Sequence, residues 1–361
     1  MPIGPDELER LLTESWTGAA PREATRLKAV IDTIHRANVT ADLGSESSMF
    51  LRRVIETHQS ILVPEAHAEL IAAQSYAVPV NFADATARIV EEQPQIFLFE
   101  GMQAILHFYV SLIRVMDLLA LEHPDYRIAL GDAVYPASEA AGMAGFSMLA
   151  DALQTGRELG AIDDLIEPGA FRNAQFGYQG AVLFVLLHEL GHIKLGHLKD
   201  GLGRSEVHDL PLAYPQEIRT RLNNEFDADA FALAAIKPEM RALFMSNVLF
   251  FLGPYAFIET FMAPKDSAHP MAVNRIQRLI VSAGFTDEEA RVAAGVVQSY
   301  LGMLNRESLK RPLDEDKRGR IDETMPVAVA YKVFDTIRND LMRHGMQLGQ
   351  FQVPEFQPTA G

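Results

Sequence analysis

The sequence predicts a mainly α-helical chain with a small β-sheet, an α+β fold. Two observations carry this. Apolar residues recur at three- and four-residue spacing along most of the 361 positions, and short runs of strand character are few. Hydrophobic residues make up 48% of the chain, ample for a core shared by several helices. The length suggests two domains, or one large one with additions. The expected division is an N-terminal helical region over 1–130, a central core over 131–285, and a C-terminal helical region with its tail over 286–361.

Taken in order, Leu27, Val30, Ile31 and Ile34 lie at helix spacing in the first strongly patterned segment. Further helices are expected over 50–75, 84–121 and 137–158. The strand candidates are "YAVPV" at 76–80 and "YRIALGDAVYP" at 126–136. The stretch 306–323 mixes both charge signs densely and reads as a solvated linker. A helix follows from Val327 to Arg343, and the tail "GQFQVPEFQPTAG" reads as extended.

Composition narrows the function classes. A net charge of −16 argues against nucleic acid and anionic membranes as partners. The absence of cysteine excludes disulfides, thiolate metal sites and a cysteine nucleophile. The acidic start "MPIGPDELERLLTESW" lacks the basic and apolar regions of a secretory signal, so a cytoplasmic location is the expectation. Two apolar stretches invite a membrane reading. Ile96 to Leu121 is interrupted by Glu100, His107, Arg114 and Asp117. Ala242 to Ile258 is short for a span and contains Gly253-Pro254. Buried core helices are the favoured reading of both, with membrane association the less favoured alternative.

The chemistry concentrates in "VLLHELGHIKLGH", residues 185–197. His188, Glu189 and His192 form H-E-x-x-H. On a helix, residues four apart share a face, so both imidazoles can reach one zinc ion. Glu189 is one step round and can flank that ion as a proton acceptor. Zinc lowers the pKa of bound water to about 7, which is why the motif needs these residue types at this spacing. Chance produces H-E-x-x-H in roughly one chain in a hundred of this length. The setting improves on chance, because "GAVLFVLL" leads into the motif and marks a buried helix. Gly191 costs about 1 kcal/mol in a helix interior relative to alanine, which points to a close-packing role.

A catalytic zinc takes three protein ligands and keeps one open position. Downstream, "PQEIRTRLNNEFDADAFALAAI" spans 215–236, with Pro215 suited to a first helical turn. Glu225 and Asp229 share a face within it. Glu225 is a candidate ligand, and Asp229 a candidate partner for the outer nitrogen of a ligand histidine. Ala228 leaves room for the two helices to pack tightly. Phe226, Ala230, Phe231 and Leu233 crowd these acids, unlike a solvated face. His197 competes with Glu225 as third ligand. If the helix continues, His197 lies about 140° round from His192 and about 180° from His188, facing away. If Gly196 ends the helix, His197 can swing back. Geometry favours Glu225, and His197 has no comparable helper nearby.

A third fragment, "SAHPMAVNRIQRLI" at 267–280, places His269-Pro270 ahead of Arg275-Ile276. Together, H-E-L-G-H, E-F-D-A-D and H-P-M-A-V-N-R-I resemble the signature set of the gluzincin metallopeptidases, in the branch containing HtpX and the CAAX prenyl proteases. The resemblance covers about residues 180–280; a phage-exclusion (Lit-type) H-E-x-x-H peptidase resembles the motif as well. It implies a zincin-like core and a zinc endopeptidase acting on protein or peptide. It implies His188, His192 and Glu225 as zinc ligands, Glu189 as general base and later proton donor, and Asp229 as partner of a ligand histidine. It further implies that His269 polarises the scissile carbonyl or stabilises the oxyanion, and that Arg275 supports the site from behind. Substrate is expected to lie extended along a short edge strand. The competing reading is a zinc-stabilised binding protein without turnover, against which the presence of Glu189 argues.

Overall fold

The computed structural model describes residues 2–15, 21–155, 168–198, 216–262, 270–283 and 327–345, with positions 159, 162, 165, 166, 285, 288, 291, 348 and 349. The chain begins with helices α1 (Pro5–Ser15), α2 (Pro21–Arg36), α3 (Glu46–Thr57) and α4 (Pro64–Ala72). Strands β1 (Gln74–Val78), β2 (Ala85–Val90) and β3 (Gln93–Phe99) follow, then α5 (Glu100–Glu122). A hairpin, β4 (Arg127–Leu130) and β5 (Ala133–Pro136), leads into α6 (Ala137–Thr155). The remaining described helices are α7 (Pro168–Lys194), α8 (Gln216–Ala234), α9 (Pro238–Met262), α10 (Ala272–Ser282) and α11 (Val327–Arg343). The mainly helical α+β class is as the sequence predicts.

The three-stranded sheet runs in the order β1-β3-β2, with β1 parallel and β2 antiparallel to β3. Its two faces feed two cores, following the period-2 alternation of a strand. Tyr76, Val78, Phe97 and Phe99 point to a small core closed by Leu8 and Leu12 of α1 and Val30 and Ile34 of α2. Tyr76 and Phe97 are register partners, and their rings stack at 5.1 Å. Arg88 of β2 pairs with Glu7 of α1 across the same face. On the other face, Ala77, Ala87, Ile96 and Leu98 join the main core.

That main core is built around α7. Residues Ala181 to Leu187 are all buried, so this helix is apolar all round and packs on every side. It contacts α3, α4, α5, α8, α9 and the sheet. Helix α5 is long and apolar enough to cross a membrane by length and composition; over half of its most apolar stretch is buried in the protein. The stretch Ala242 to Ile258 lies within α9, where Val248, Leu249, Leu252 and Ala256 are core residues. Both are therefore packed helices. The α8–α9 junction is clamped to the α3–α4 loop by paired backbones at Leu62 and Ile236 and by the Lys237 ammonium donating to the Ser60 carbonyl at 2.7 Å.

Two expected helices are corrected. The segment 84–121 holds the β2–β3 hairpin before α5 begins at Glu100. The segment 50–75 divides into α3, α4 and the start of β1, with Pro64 opening α4. Strand 76–80 falls on β1, strand 126–136 forms the β4–β5 hairpin, and α6 and α11 fall where expected. The linker 306–323 and most of the tail lie outside the described residues.

Candidate metal centre

Helix α7 carries His188, Glu189 and His192 on its last two turns, and α8 carries Glu225 and Asp229. The two helices approach closely at Gly191. A Cβ there would sit 3.1 Å from both the Cα and the carbonyl oxygen of Ala228 and 3.2 Å from Phe231. Since the obstacle is mostly backbone, a larger residue would force the helices apart. This close approach brings Glu225, three residues before Ala228, to the histidines.

The ligand atoms of His188, His192 and Glu225 all lie within 4.8 Å of one another. The two Nε2 atoms are 3.1 Å apart. Glu225 presents a different oxygen to each imidazole, at 3.5 Å from His188 Nε2 and 3.4 Å from His192 Nε2. A tetrahedral zinc site with bonds of about 2.0–2.1 Å has ligand–ligand edges of about 3.3–3.4 Å. The observed separations of 3.1, 3.4 and 3.5 Å bracket those edges, the last two reaching different oxygens of the one carboxylate. Its donor set, two imidazoles and one carboxylate, is one that zinc accepts with a position to spare.

Behind the triangle lies a buried charge network. Asp229 is 1% exposed, and its Oδ1 lies 2.9 Å from His188 Nδ1. Arg275 of α10 donates to both Asp229 oxygens, from Nε at 2.7 Å and Nη2 at 2.6 Å. Its Nη1 lies 3.7 Å from Glu225, and its guanidinium sits over the Phe251 ring at 5.6 Å. Burial raises the Asp229 pKa, but Arg275 and then His188 outweigh it and hold the carboxyl below its usual value. Burial works against a charged His188, yet Asp229 and Glu225 together raise it to about 10. Burial lowers Arg275 and Asp229 more than reverses that, so the guanidinium stays charged.

Glu189 is buried as well. Among the described residues, the acids at this centre are Glu189, Glu225 and Asp229, and the base is Arg275. Without a metal the proton on His188 offsets one of the two negative charges left in excess; with both imidazoles neutral, as metal ligation requires, the two are unbalanced in a region of low exposure. Buried charge is costly unless balanced. A divalent cation at the triangle would balance it, so geometry and charge both fit the metal.

The structure thus brings together His188, His192, Glu225, Asp229 and Arg275, with Glu189 next to His188 on the same helix. His269 and Pro215 lie outside the described residues. For His197 the sequence left two courses open, and the chain takes the second, in which Gly196 ends the helix. His197 does not face away: α7 ends at Lys194, Gly196 has φ +75°, and His197 Nδ1 lies 3.0 Å from His192 Nδ1. It meets the outer nitrogen of His192 and is not part of the triangle. Burial, then the adjacent His192, push His197 down to about 4, so it is uncharged at neutral pH. The signal that finds it is the glycine at 196, which ends the helix and turns the chain back.

Residues 141–296 match the model of the family described as Peptidase U49. Neither a curated protein nor a solved structure matches the chain. The matched span carries α7, α8 and α10, and so every residue of the network above. The match supports a peptidase, without supporting the HtpX and CAAX branch in particular. The part of the chain that builds the His-His-Glu cluster is therefore similar to a peptidase family.

Proposed function

We propose that this chain is a zinc-dependent endopeptidase of the gluzincin kind, acting on protein or peptide. The observation that carries the reading is the cluster of His188, His192 and Glu225: the two Nε2 atoms lie 3.1 Å apart, and each lies 3.4–3.5 Å from one oxygen of the Glu225 carboxylate, spacings close to those of one tetrahedral zinc ion. The similarity of residues 141–296 to a peptidase family supports the peptidase part of it.

Each residue has a role in this scheme. His188 and His192 offer Nε2, and Glu225 offers its carboxylate from the neighbouring helix. Asp229 accepts the Nδ1 proton of His188 and so fixes the tautomer that leaves Nε2 free to bind. Arg275 holds both oxygens of Asp229 and keeps that acceptor aimed. A zinc ion held there supplies a Lewis acid and makes hydroxide accessible near neutral pH. Glu189 accepts the proton of the attacking water and passes it to the departing amine. By resemblance, His269 steadies the negative charge that develops on the carbonyl oxygen. The substrate lies extended along a short edge strand, for which β2, at one edge of the sheet and packed on α7, is a candidate.

The test is zinc content per chain, followed by peptide-library digestion with and without chelator, for the natural chain and for Glu189→Gln. The amide is close in size to the acid, so the variant should fold and retain zinc. Turnover should fall by about 10²–10⁴-fold or more with the proton acceptor gone. Near-normal turnover in Glu189→Gln removes this glutamate from the mechanism. Zinc binding without any cleavage by the natural chain favours a binding protein instead.

A further inference from the structure

We propose that His197 is a positioning residue for His192: its Nδ1 accepts the Nδ1 proton of His192 and fixes the tautomer that presents Nε2 to the metal. This rests on the zinc reading above and adds a residue to it.

The inference starts from how α7 ends. The Gly196 N–H donates to the Ile193 carbonyl at 3.3 Å, and the His197 N–H donates to the His192 carbonyl at 3.0 Å. With Gly196 at φ +75°, these two bonds make a Schellman cap. In that cap the residue after the glycine packs against the residue five positions before it, usually through an apolar contact. Here the two positions are His197 and His192. Their rings meet at 5.1 Å between centroids, and their Nδ1 atoms lie 3.0 Å apart.

Two ring nitrogens at that distance share one hydrogen, so one donates and the other accepts. The rest of the site decides which. His192 Nε2 faces His188 Nε2 and Glu225, inside the triangle. To offer a lone pair there, His192 must carry its proton on Nδ1. That proton then points at His197 Nδ1, and His197 carries its own hydrogen on Nε2. Each ligand histidine thus has an outer-nitrogen partner. His188 receives Asp229 from α8, and His192 receives His197 from the cap of its own helix. A neutral partner at His192 adds no further negative charge to a centre already rich in carboxylates.

The test compares zinc affinities of the full chain by competition with a chromophoric chelator, for the natural protein, His197→Phe, His197→Asn and Glu225→Ala. Phenylalanine keeps the ring and removes the acceptor. Asparagine places an accepting oxygen close to where Nδ1 stood. His197→Phe should weaken zinc by about 10–100-fold, while His197→Asn stays within about threefold of the natural protein. Natural affinity in His197→Phe overturns the proposal. So does a loss in His197→Asn as large as in His197→Phe, which would make the imidazole itself indispensable. If the natural chain takes up no zinc, the metal reading falls and this proposal with it. If zinc binds and only Glu225→Ala loses it, this proposal alone falls. Should His197→Phe fail to fold, the zinc-loaded natural protein labelled with ¹⁵N supplies the answer. A scalar coupling between the two Nδ1 nuclei across the hydrogen bond supports the assignment, and its absence overturns it.

Discussion

Asp229→Asn separates the two tasks of the buried carboxylate. The side chain keeps its size but can accept at only one of its two terminal atoms. Three donors converge on it: Arg275 Nε at 2.7 Å, Arg275 Nη2 at 2.6 Å and His188 Nδ1 at 2.9 Å. The new amide nitrogen must face at least one of them, donor against donor. Arg275 then remains charged and buried at 6% exposure, with Glu225 at 3.7 Å as its remaining described acid. Breaking a buried pair this way costs about 3–5 kcal/mol. An asparagine oxygen at the Oδ1 position keeps the bonds from Arg275 Nη2 and His188 Nδ1 and sets the amide against Arg275 Nε, which places the expected loss near ~3 kcal/mol, a large part of the ~5–15 kcal/mol typical of a folded domain. Urea unfolding with chelator present should show the midpoint falling by about 1 M. Zinc affinity, measured separately, should fall by about 10–100-fold because a neutral amide oxygen replaces the carboxylate that holds the His188 Nδ1 proton. The double variant Asp229→Asn with Arg275→Met removes the stranded charge. It should regain most of the stability and none of the zinc affinity. A single variant as stable as the natural protein, with zinc affinity unchanged, would refute the reasoning on both counts.

Other outcomes follow from the same geometry. Gly191→Val should destabilise the chain by about 1–3 kcal/mol despite the better helix former, because its Cβ meets the Ala228 backbone at 3.1 Å; unchanged thermal unfolding would deny that contact. The same variant should weaken zinc binding by moving Glu225. His269→Ala should lower turnover while zinc content holds, and loss of the metal would instead make His269 a ligand. Zinc uptake at pH 7 should release a proton, since Asp229 and Glu225 keep His188 charged up to about 10 without the ion. Affinity should therefore rise with pH between about 7 and 10, and calorimetry in buffers of different ionisation enthalpy counts the proton. The charged His188 also favours the zinc-free fold below its usual pKa of 6.5, an effect lost as pH rises through about 10.

What the sequence determined is what one helix determines alone. His188 and His192 are four apart, as are Glu225 and Asp229, and 3.6 residues per turn puts each pair on one face whatever surrounds it. The stretch 126–136 was legible as strand, while its division into the β4–β5 hairpin turns on the local Gly131-Asp132 pair, which the strand reading passed over. The β2–β3 hairpin was hidden for the converse reason. Its two-residue turn is Glu91-Glu92, both at positive φ, where Asn-Gly would be the readable signal. Strand β3 is buried on both faces and runs straight into α5, so the apolar stretch "IFLFEGMQAILHFYV" shows no change of period at the boundary. Only the tertiary structure decided which groups meet across helices. It set Arg275 on both oxygens of Asp229, 46 residues away, and brought Glu225 to the histidines through the close approach at Gly191. His197 stands between the two cases: its turn is local, but what it touches depends on where the cap directs the ring. Periodicity gives the face on which a side chain lies, and packing alone decides what lies opposite.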